Sequence, residues 1–559
     1  MKRYVLIILL ISALIVSGSA QNEERNENPD GSALTDSRLS AFYPFWGTYK
    51  KTPIGEIKQA KWIERDTILP GWDWSLPENV KPSPNGYLCI ARNFGLRQEK
   101  IQQLPAPDFS CNPVISHWVT WSLLEPEEGK IEFQPLIENI KLAAQKGYGS
   151  IVRIHFSAID FAPEWIANYN IPIRKENKEN PKKTNYEVSH PEFHMRYLKF
   201  IKALGESGIP QMEEVKGLFL GYASPSNGDE GIGPFPEQYA DANDTVQHVR
   251  ERIDAWAEAC KGVEHKVFMG GLSNYGFSKG FGIRRGFVEM YLYHIPDEHI
   301  GQKLDANNYL YVDETNPVIA GNLFQGEENE EYEESWASES RAYRFGHSTE
   351  SFPYRYFTAN LRLLQMRCNY LLNNEFSLLP EMLAWVSLEM GKTMKDAPDA
   401  WCYLRESYLK DDGGHPVKNF ERWIYQRDAQ GYETVPVMKI EHPIEMWMVE
   451  PGKYYDYVAR QGRQIGFYVE DQWKGQEDSI AVKISYFDNS PGSLNLVYNN
   501  GEDEVVSPIP LTGDHQLKTA TLFIGKLQAN SLEHNFDFVL RAGGPNENVV
   551  VSFVRLVRN

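Results

Sequence analysis

The sequence predicts an α/β chain: a (β/α)8 barrel followed by an antiparallel, jelly-roll-like β-sandwich. Three observations carry that expectation. Over residues 111–405, strand-like and helix-like segments alternate about eight times, the count and span of a parallel barrel. No Gly-rich dinucleotide or phosphate loop follows the opening strand-like run, which removes the usual reason for an open doubly wound sheet. Beyond about residue 430 the helical period stops, and period-two strands separated by Asn, Gly and Pro turns take over.

The elements follow in order. Lys2 and Arg3 precede an apolar run from Tyr4 to Val16, and Gly18-Ser19-Ala20 supplies small residues. Residues 1–20 therefore read as a signal peptide, with a secreted or periplasmic product expected. Residues 21–110 read as a disordered polar leader and then an N-terminal wrap rich in Pro, Gly and Trp. The barrel is expected over 111–405. Its first strand is Pro113 to Trp121, followed by an acidic turn and a helix between Phe133 and Gly147. Ser150 to Phe156 gives the second strand, and Tyr186 to Val188 a short third. A helix starting at His190-Pro191 sets Phe193, Tyr197, Ile201 and Leu204 on one face.

Val215 to Tyr222 and Lys266 to Gly271 read as the fourth and fifth strands, with a helix over Asp244 to Cys260 between them. A helix over Gly282 to His294 leads to a sixth strand at Asn308 to Val312 and a seventh at Ala320 to Phe324. A helix at Tyr354 to Arg367, an eighth strand at Asn369 to Leu372 and a helix at Pro380 to Met390 finish the barrel. Residues 406–430 form a linker, and 431–559 the sandwich.

Composition narrows the function classes. A formal net charge of -19 argues against nucleic acid, which needs a basic face. No segment after the leader is long and apolar enough to span a bilayer. The five cysteines are scattered and match neither a disulfide framework nor a zinc pattern. The 13 histidines include no His-Glu-x-x-His, and no Gly-x-Ser-x-Gly elbow occurs, so no metal and no cofactor are expected.

In a parallel barrel, ligands meet the C-terminal ends of the strands. The fourth strand runs into Gly221-Tyr-Ala-Ser-Pro-Ser-Asn-Gly-Asp-Glu-Gly231, a tight loop that can hold Asp229 and Glu230 over the mouth, with Asn227 beside them. The seventh runs into Phe324-Gln-Gly-Glu-Glu-Asn-Glu-Glu-Tyr332, which offers Glu327 and Glu328. Paired carboxylates on different strands suit glycosidic cleavage. One protonates the leaving oxygen; the other attacks the anomeric carbon or activates water. Arg153 and His155 share a face of the second strand and are candidates to bind substrate or orient a carboxylate. Trp118, Trp121, Trp165 and Tyr222 are candidate sugar-stacking rings, with core packing the alternative. Arg284, Asn374 and Glu375 lie close after strands and complete the rim candidates.

Trp121-Ser-Leu-Leu-Glu-Pro-Glu-Glu-Gly-Lys130, Arg153-Ile-His155, Ala162-Pro-Glu-Trp165 and a fourth strand leading to a Glu resemble the retaining (β/α)8 glycoside hydrolases of clan A, nearest the family 42 β-galactosidase-like proteins. The resemblance covers residues 111–235 well and 265–390 loosely. It implies Glu230 as acid/base, Glu327 or else Glu328 as nucleophile with Glu375 a third candidate, and a poly- or oligosaccharide substrate. The chain departs from that pattern in one place: Asp229 stands where the clan has Asn before the acid/base. That leaves a non-catalytic glycan-binding protein on a degenerate barrel as an alternative. A polysaccharide lyase is a third. Glu125, Glu127 and Glu128 are expected to shape the turn after the first strand rather than to act chemically.

Overall fold

The structure, a computed structural model, describes residues 80–91, 95–104, 112–175, 184–222, 246–271, 273–287, 300–328, 352–372, 380–407, 417–446, 449–474, 479–544 and 548–558, with 76 and 107 besides. Eight parallel strands close into a barrel in chain order: β1 (Tyr87–Ala91), β2 (Asn112–Thr120), β3 (Gly149–His155), β4 (Val215–Leu220), β5 (Val267–Gly270), β6 (Gly282–Phe287), β7 (Gln325–Glu328) and β8 (Tyr370–Leu372). Tyr87 on β1 pairs with Asn112 of β2 on one side and with Tyr370 of β8 on the other, which seals the ring.

The barrel class agrees with expectation, but five assignments differ. The first is Tyr87–Ala91, inside the stretch expected as a wrap, so the barrel begins ahead of residue 111. A five-residue apolar run carries no period of its own and is easily passed over. The segment expected as the first strand is therefore β2. The short strand near Tyr186 lies outside the barrel, where Asn185–Tyr186 pairs antiparallel with Ile173–Lys175. Leu310–Val312, expected as the sixth strand, pairs antiparallel with Gln302–Leu304. The barrel's own β6 starts at Gly282, where a helix was expected. A Cβ on Gly282 would sit 1.8 Å from the Phe324 carbonyl oxygen, so the close approach of β6 to the chain entering β7 requires glycine. Finally, Pro317–Ala320 is a helical turn, and β7 follows at Gln325 rather than ending at Phe324.

The helices that could be matched behave as their apolar spacing demands. In α1 (Gln134–Gln145) Leu136, Ile140 and Ala143 are buried at intervals of three and four, and Pro135 sits in the first turn, where its missing N–H costs nothing. In α2 (Pro191–Glu206) the same face holds Phe193, Tyr197, Phe200, Ile201 and Leu204. Together with α3 (Val246–Ala259) these helices cover the strands through one apolar cluster. Helices α4 (Phe352–Gln365) and α5 (Pro380–Glu389) flank β8. A smaller cluster fills the barrel itself: Cys89, Val114, Ile151, Phe219, Phe268, Phe324, Tyr370 and Leu372. Phe268 and Phe324 stack there with ring centroids 4.2 Å apart.

The C-terminal part is a β-sandwich of one seven-stranded and one five-stranded antiparallel sheet. Alternate residues of both sheets meet in one core, including Cys402, Leu404, Val482, Ile484, Leu496, Phe538, Leu540, Val554 and Leu556. The sandwich starts earlier than expected. Asp399–Ser407, Val417–Arg422 and Ile424–Gln426 are sandwich strands, so residues expected as barrel end and linker belong to it. Asp399–Ser407 is buried at every position and shows no alternation, which disguises it as a barrel strand.

Polar bridges join the two parts. Arg422 donates to the Glu389 carboxylate (2.7 Å) and to its backbone carbonyl (2.8 Å). The Trp385 indole and the Arg555 guanidinium both donate to Asp399, at 2.8 and 2.5 Å. Arg367 pairs with Glu314 at 2.6 Å and lies over the Trp423 ring. Among the described residues no helix is long and apolar enough to cross a membrane.

Candidate active site at the barrel mouth

Strand alternation decides which side chains enter the barrel. Val114, Ile151, Phe219 and Phe268 lie in the interior cluster, so the residues two and four positions further along β2 and β3 continue on the inner face. Those residues include Trp118, Arg153 and His155. They converge as that parity requires. The Arg153 guanidinium carbon lies 4.2 Å from the Trp118 ring centroid and 4.6 Å from that of Phe219. Arg284 on β6 approaches the same Phe219 ring at 5.9 Å. His155 packs on Trp118 with centroids 5.4 Å apart and on Phe161 at 4.9 Å.

Arg153 and His155 are nearly buried, so a fixed positive charge sits at the C-terminal end of the barrel against aromatic faces. A flat apolar wall beside a cation and ring N–H donors suits a hydroxylated or carboxylated ring, which has an apolar face and a polar edge.

Three of the expected ring residues lie elsewhere. Trp121 is fully buried between barrel and helices, edge-on to Trp165 and Phe193, and its indole donates to Glu125 at 2.7 Å. Trp165 donates to the Glu125 backbone carbonyl at 3.0 Å and packs against the same cluster. Tyr222 is also fully buried there, 4.7 Å from the Tyr197 ring. Two steps separate Tyr222 from Leu220 and three separate Phe219 from it, so strand parity carries it to the outer face. These three hold the outer shell together and do not reach the mouth.

The acidic turn behaves as expected. Glu125 accepts from the Trp121 indole and the Gly129 amide, Glu127 pairs with Lys130, and Glu128 binds Tyr169 and Arg196.

Asn227, Asp229, Glu230, Asn374 and Glu375 lie outside the described residues. For Glu327 and Glu328 only the backbone is described. It carries useful information. Gly326 pairs with Tyr370, Glu327 with Leu371 and Glu328 with Leu372. Tyr370 and Leu372 are interior residues, and a Cβ on Gly326 would meet the Tyr370 ring. Glu328 thus occupies an inner-face register position and Glu327 the position between.

A second polar group lies on the outer side of β4, where α2 and α3 meet. His194 is buried. Its Nδ1 is 3.1 Å from the Tyr222 hydroxyl, and its Nε2 is 2.9 Å from a Glu251 carboxylate oxygen. The other Glu251 oxygen accepts from Gln247 at 3.0 Å, and the His248 ring stands 4.7 Å from that of His194. Burial pulls the His194 imidazole down to about 4, against the hydrogen bond to the Glu251 carboxylate, which raises it. Sequence reasoning missed this group. The His248-x-x-Glu251 spacing on a helix was its one local trace, and the partner histidine lies 57 residues from Glu251.

No family model and no curated protein matches the chain. Among solved structures, a family GH30 endoxylanase from Clostridium papyrosolvens overlaps at 7% identity, covering 86% of this chain and 98% of its own, with a TM-score of 0.31. The catalytic domain of a β-amylase from Paenibacillus polymyxa overlaps at 7% identity, 55% of this chain and 99% of its own, TM-score 0.32. A β-galactosidase from Halorubrum lacusprofundi overlaps at 13% identity, 40% of this chain and 42% of its own, TM-score 0.24. Overlaps this faint say nothing about the chemistry of this chain, and the fold rests on the closed barrel itself.

Proposed function

We propose that the chain is an exported glycoside hydrolase that cleaves a poly- or oligosaccharide at the C-terminal mouth of the barrel. The observation that carries this reading is the convergence of Trp118, Arg153, His155 and Arg284 on the inner face, at the end where β4 and β7 finish. Glu230, ten residues past the end of β4, is the acid/base. Glu328 is preferred over Glu327 as the nucleophile because of its register position. Arg153, with Trp118 beneath it, binds the sugar at the mouth, and Arg284 lines the far side. The mechanism is double displacement. Glu328 attacks the anomeric carbon as Glu230 protonates the departing oxygen. Glu230 then takes a proton from the water that releases the sugar from Glu328.

The test is turnover. The purified mature chain is screened on aryl glycosides and on plant and algal polysaccharides, alongside Glu230→Gln and Glu328→Gln. The expected result is release of sugar by the native chain, a loss of about 10²–10⁴-fold in Glu230→Gln, and retained binding in both variants. Binding without turnover in the native chain overturns the enzyme reading in favour of a glycan-binding protein. Ultraviolet-absorbing unsaturated products overturn it in favour of a lyase.

A further inference from the structure

We propose that His194, His248 and Glu251 form a site for one zinc-class divalent cation that clamps α2 to α3 at the end of β4.

The argument begins with the tautomer. The Tyr222 hydroxyl donates its hydrogen to the Val188 carbonyl. Its oxygen is then the acceptor in the 3.1 Å contact with His194, so Nδ1 carries the ring hydrogen. Nε2 faces a carboxylate oxygen of Glu251 at 2.9 Å. A cation can be held by both groups: ligands at about 2.1 Å from one ion lie about 3.0–3.4 Å apart, slightly wider than this contact. A proton joins only the pair, whereas an ion also engages His248, whose ring stands 4.7 Å from that of His194. The ligand atoms of His194, His248 and Glu251 all fall within 4.8 Å of one another. His248 and Glu251 are partly exposed, which leaves their side chains room to turn toward one ion.

The surroundings match a metal site as well. Liganding imidazoles usually have the other ring nitrogen held by a fixed partner, and liganding carboxylates are themselves hydrogen-bonded. Here Tyr222 holds Nδ1 of His194, and Gln247 holds the second oxygen of Glu251. Two imidazoles and one carboxylate are a zinc-type set, and the partly exposed side leaves room for water as a fourth ligand. Calcium and magnesium prefer all-oxygen cages and fit poorly.

The location gives the ion a job. His194 lies in the first turn of α2 and His248 in the first turn of α3. Through Tyr222, His194 is tied to the end of β4, immediately before residues 223–245, which include Asp229 and Glu230. An ion there fixes the point from which those residues depart. It is a positioning device that touches neither substrate nor reacting atoms.

The experiment reads metal directly and does not depend on the glycosidase reading. The full mature chain, stripped with a chelator, is titrated with zinc chloride by calorimetry, and with calcium chloride in parallel. One zinc ion per chain is expected, with no comparable calcium uptake. The double variant His248→Ala/Glu251→Gln should bind zinc at least tenfold more weakly, and Tyr222→Phe about 10–100-fold more weakly. Circular dichroism without metal checks that each variant is folded. Absence of stoichiometric zinc uptake overturns the proposal, and so does uptake unchanged in the folded double variant. A chain that binds zinc but hydrolyses no glycoside leaves the site standing and removes only the reading of the barrel mouth.

Discussion

Arg422 and Glu389 face each other across the seam between barrel and sandwich, guanidinium to carboxylate at 2.7 Å, and neither side chain is more than 2% exposed. Burial, followed by the nearby Asp399 carboxylate, pushes the Glu389 carboxyl upward. The pair is therefore asymmetric. A carboxyl left alone can take up a proton, whereas a guanidinium cannot lose one. Glu389→Ala should cost about 3–5 kcal/mol, and Arg422→Ala distinctly less. Urea unfolding of both variants checks this; equal losses would show that the asymmetry is not felt.

The β7 register makes a sharper claim about chemistry. If the barrel hydrolyses glycosides, Glu328→Gln should abolish turnover, while Glu327→Gln should leave most of it. Trapping the enzyme with a 2-fluoro glycoside and mapping the labelled peptide by mass spectrometry identifies the nucleophile independently. A label on Glu327 would reverse the assignment.

Arg153 stacks between Trp118 and Phe219, and a lysine cannot reproduce that planar contact. Arg153→Lys should therefore weaken oligosaccharide binding by about tenfold, on the order of 1.4 kcal/mol. Isothermal titration with the substrate found in the polysaccharide screen measures it. Full affinity in Arg153→Lys would move Arg153 from ligand binding to barrel packing.

Asp488 in the sandwich accepts from Lys518, from the Thr512 and Gly513 amides and from the Thr512 hydroxyl. Burial alone would raise its carboxyl, but Lys518 and these donors outweigh it and hold the group well below the usual carboxylate range. A depressed carboxyl stabilises the fold above its unfolded value of 3.8, and that contribution fades as pH falls toward the folded value. The Tm advantage of the native chain over Asp488→Asn should be full at neutral pH and shrink between about pH 4 and about pH 2. An advantage independent of pH would remove the linkage.

Trp121 tests the shell assignment. It is fully buried and touches Phe156, Trp165, Phe193 and Phe200. Trp121→Phe should lower stability while leaving KM unchanged, and Trp121→Ala should cost about 3–5 kcal/mol. A raised KM in a well-folded Trp121→Phe would return this ring to the ligand site.

The contrast between Trp118 and Trp121 shows what the chain makes legible. Both stand at the end of one strand, and sequence reasoning offered both as sugar platforms. Trp118 continues the inner parity of Val114, whereas Trp121 has already entered a helical turn capped by the Thr120 side chain, which swings it outward. Longer periodic elements such as α1 and α2 were readable because each buried face repeats several times. Tyr87–Ala91 and Asp399–Ser407 were not, because the first is short and the second is buried on both faces. The Arg153 and His155 pair was readable from two-residue spacing alone. The cluster around His194 was not, since only the packing of α2 on α3 brings its members together.

The ring seals where Tyr87 meets Tyr370, the first strand against the last. That contact has one of the longest chain separations in the molecule, and bringing such distant segments together is entropically slow. Until residue 372 is available, β1, already paired with β2, has an open edge where β8 will pair. If the chain is exported as proposed, one handed across a membrane from its N-terminus would expose that edge throughout transit, and the barrel would complete only afterwards, with the sandwich arriving last. Pulse-labelled proteolysis during refolding should find β1 and β8 gaining protection together, at the end.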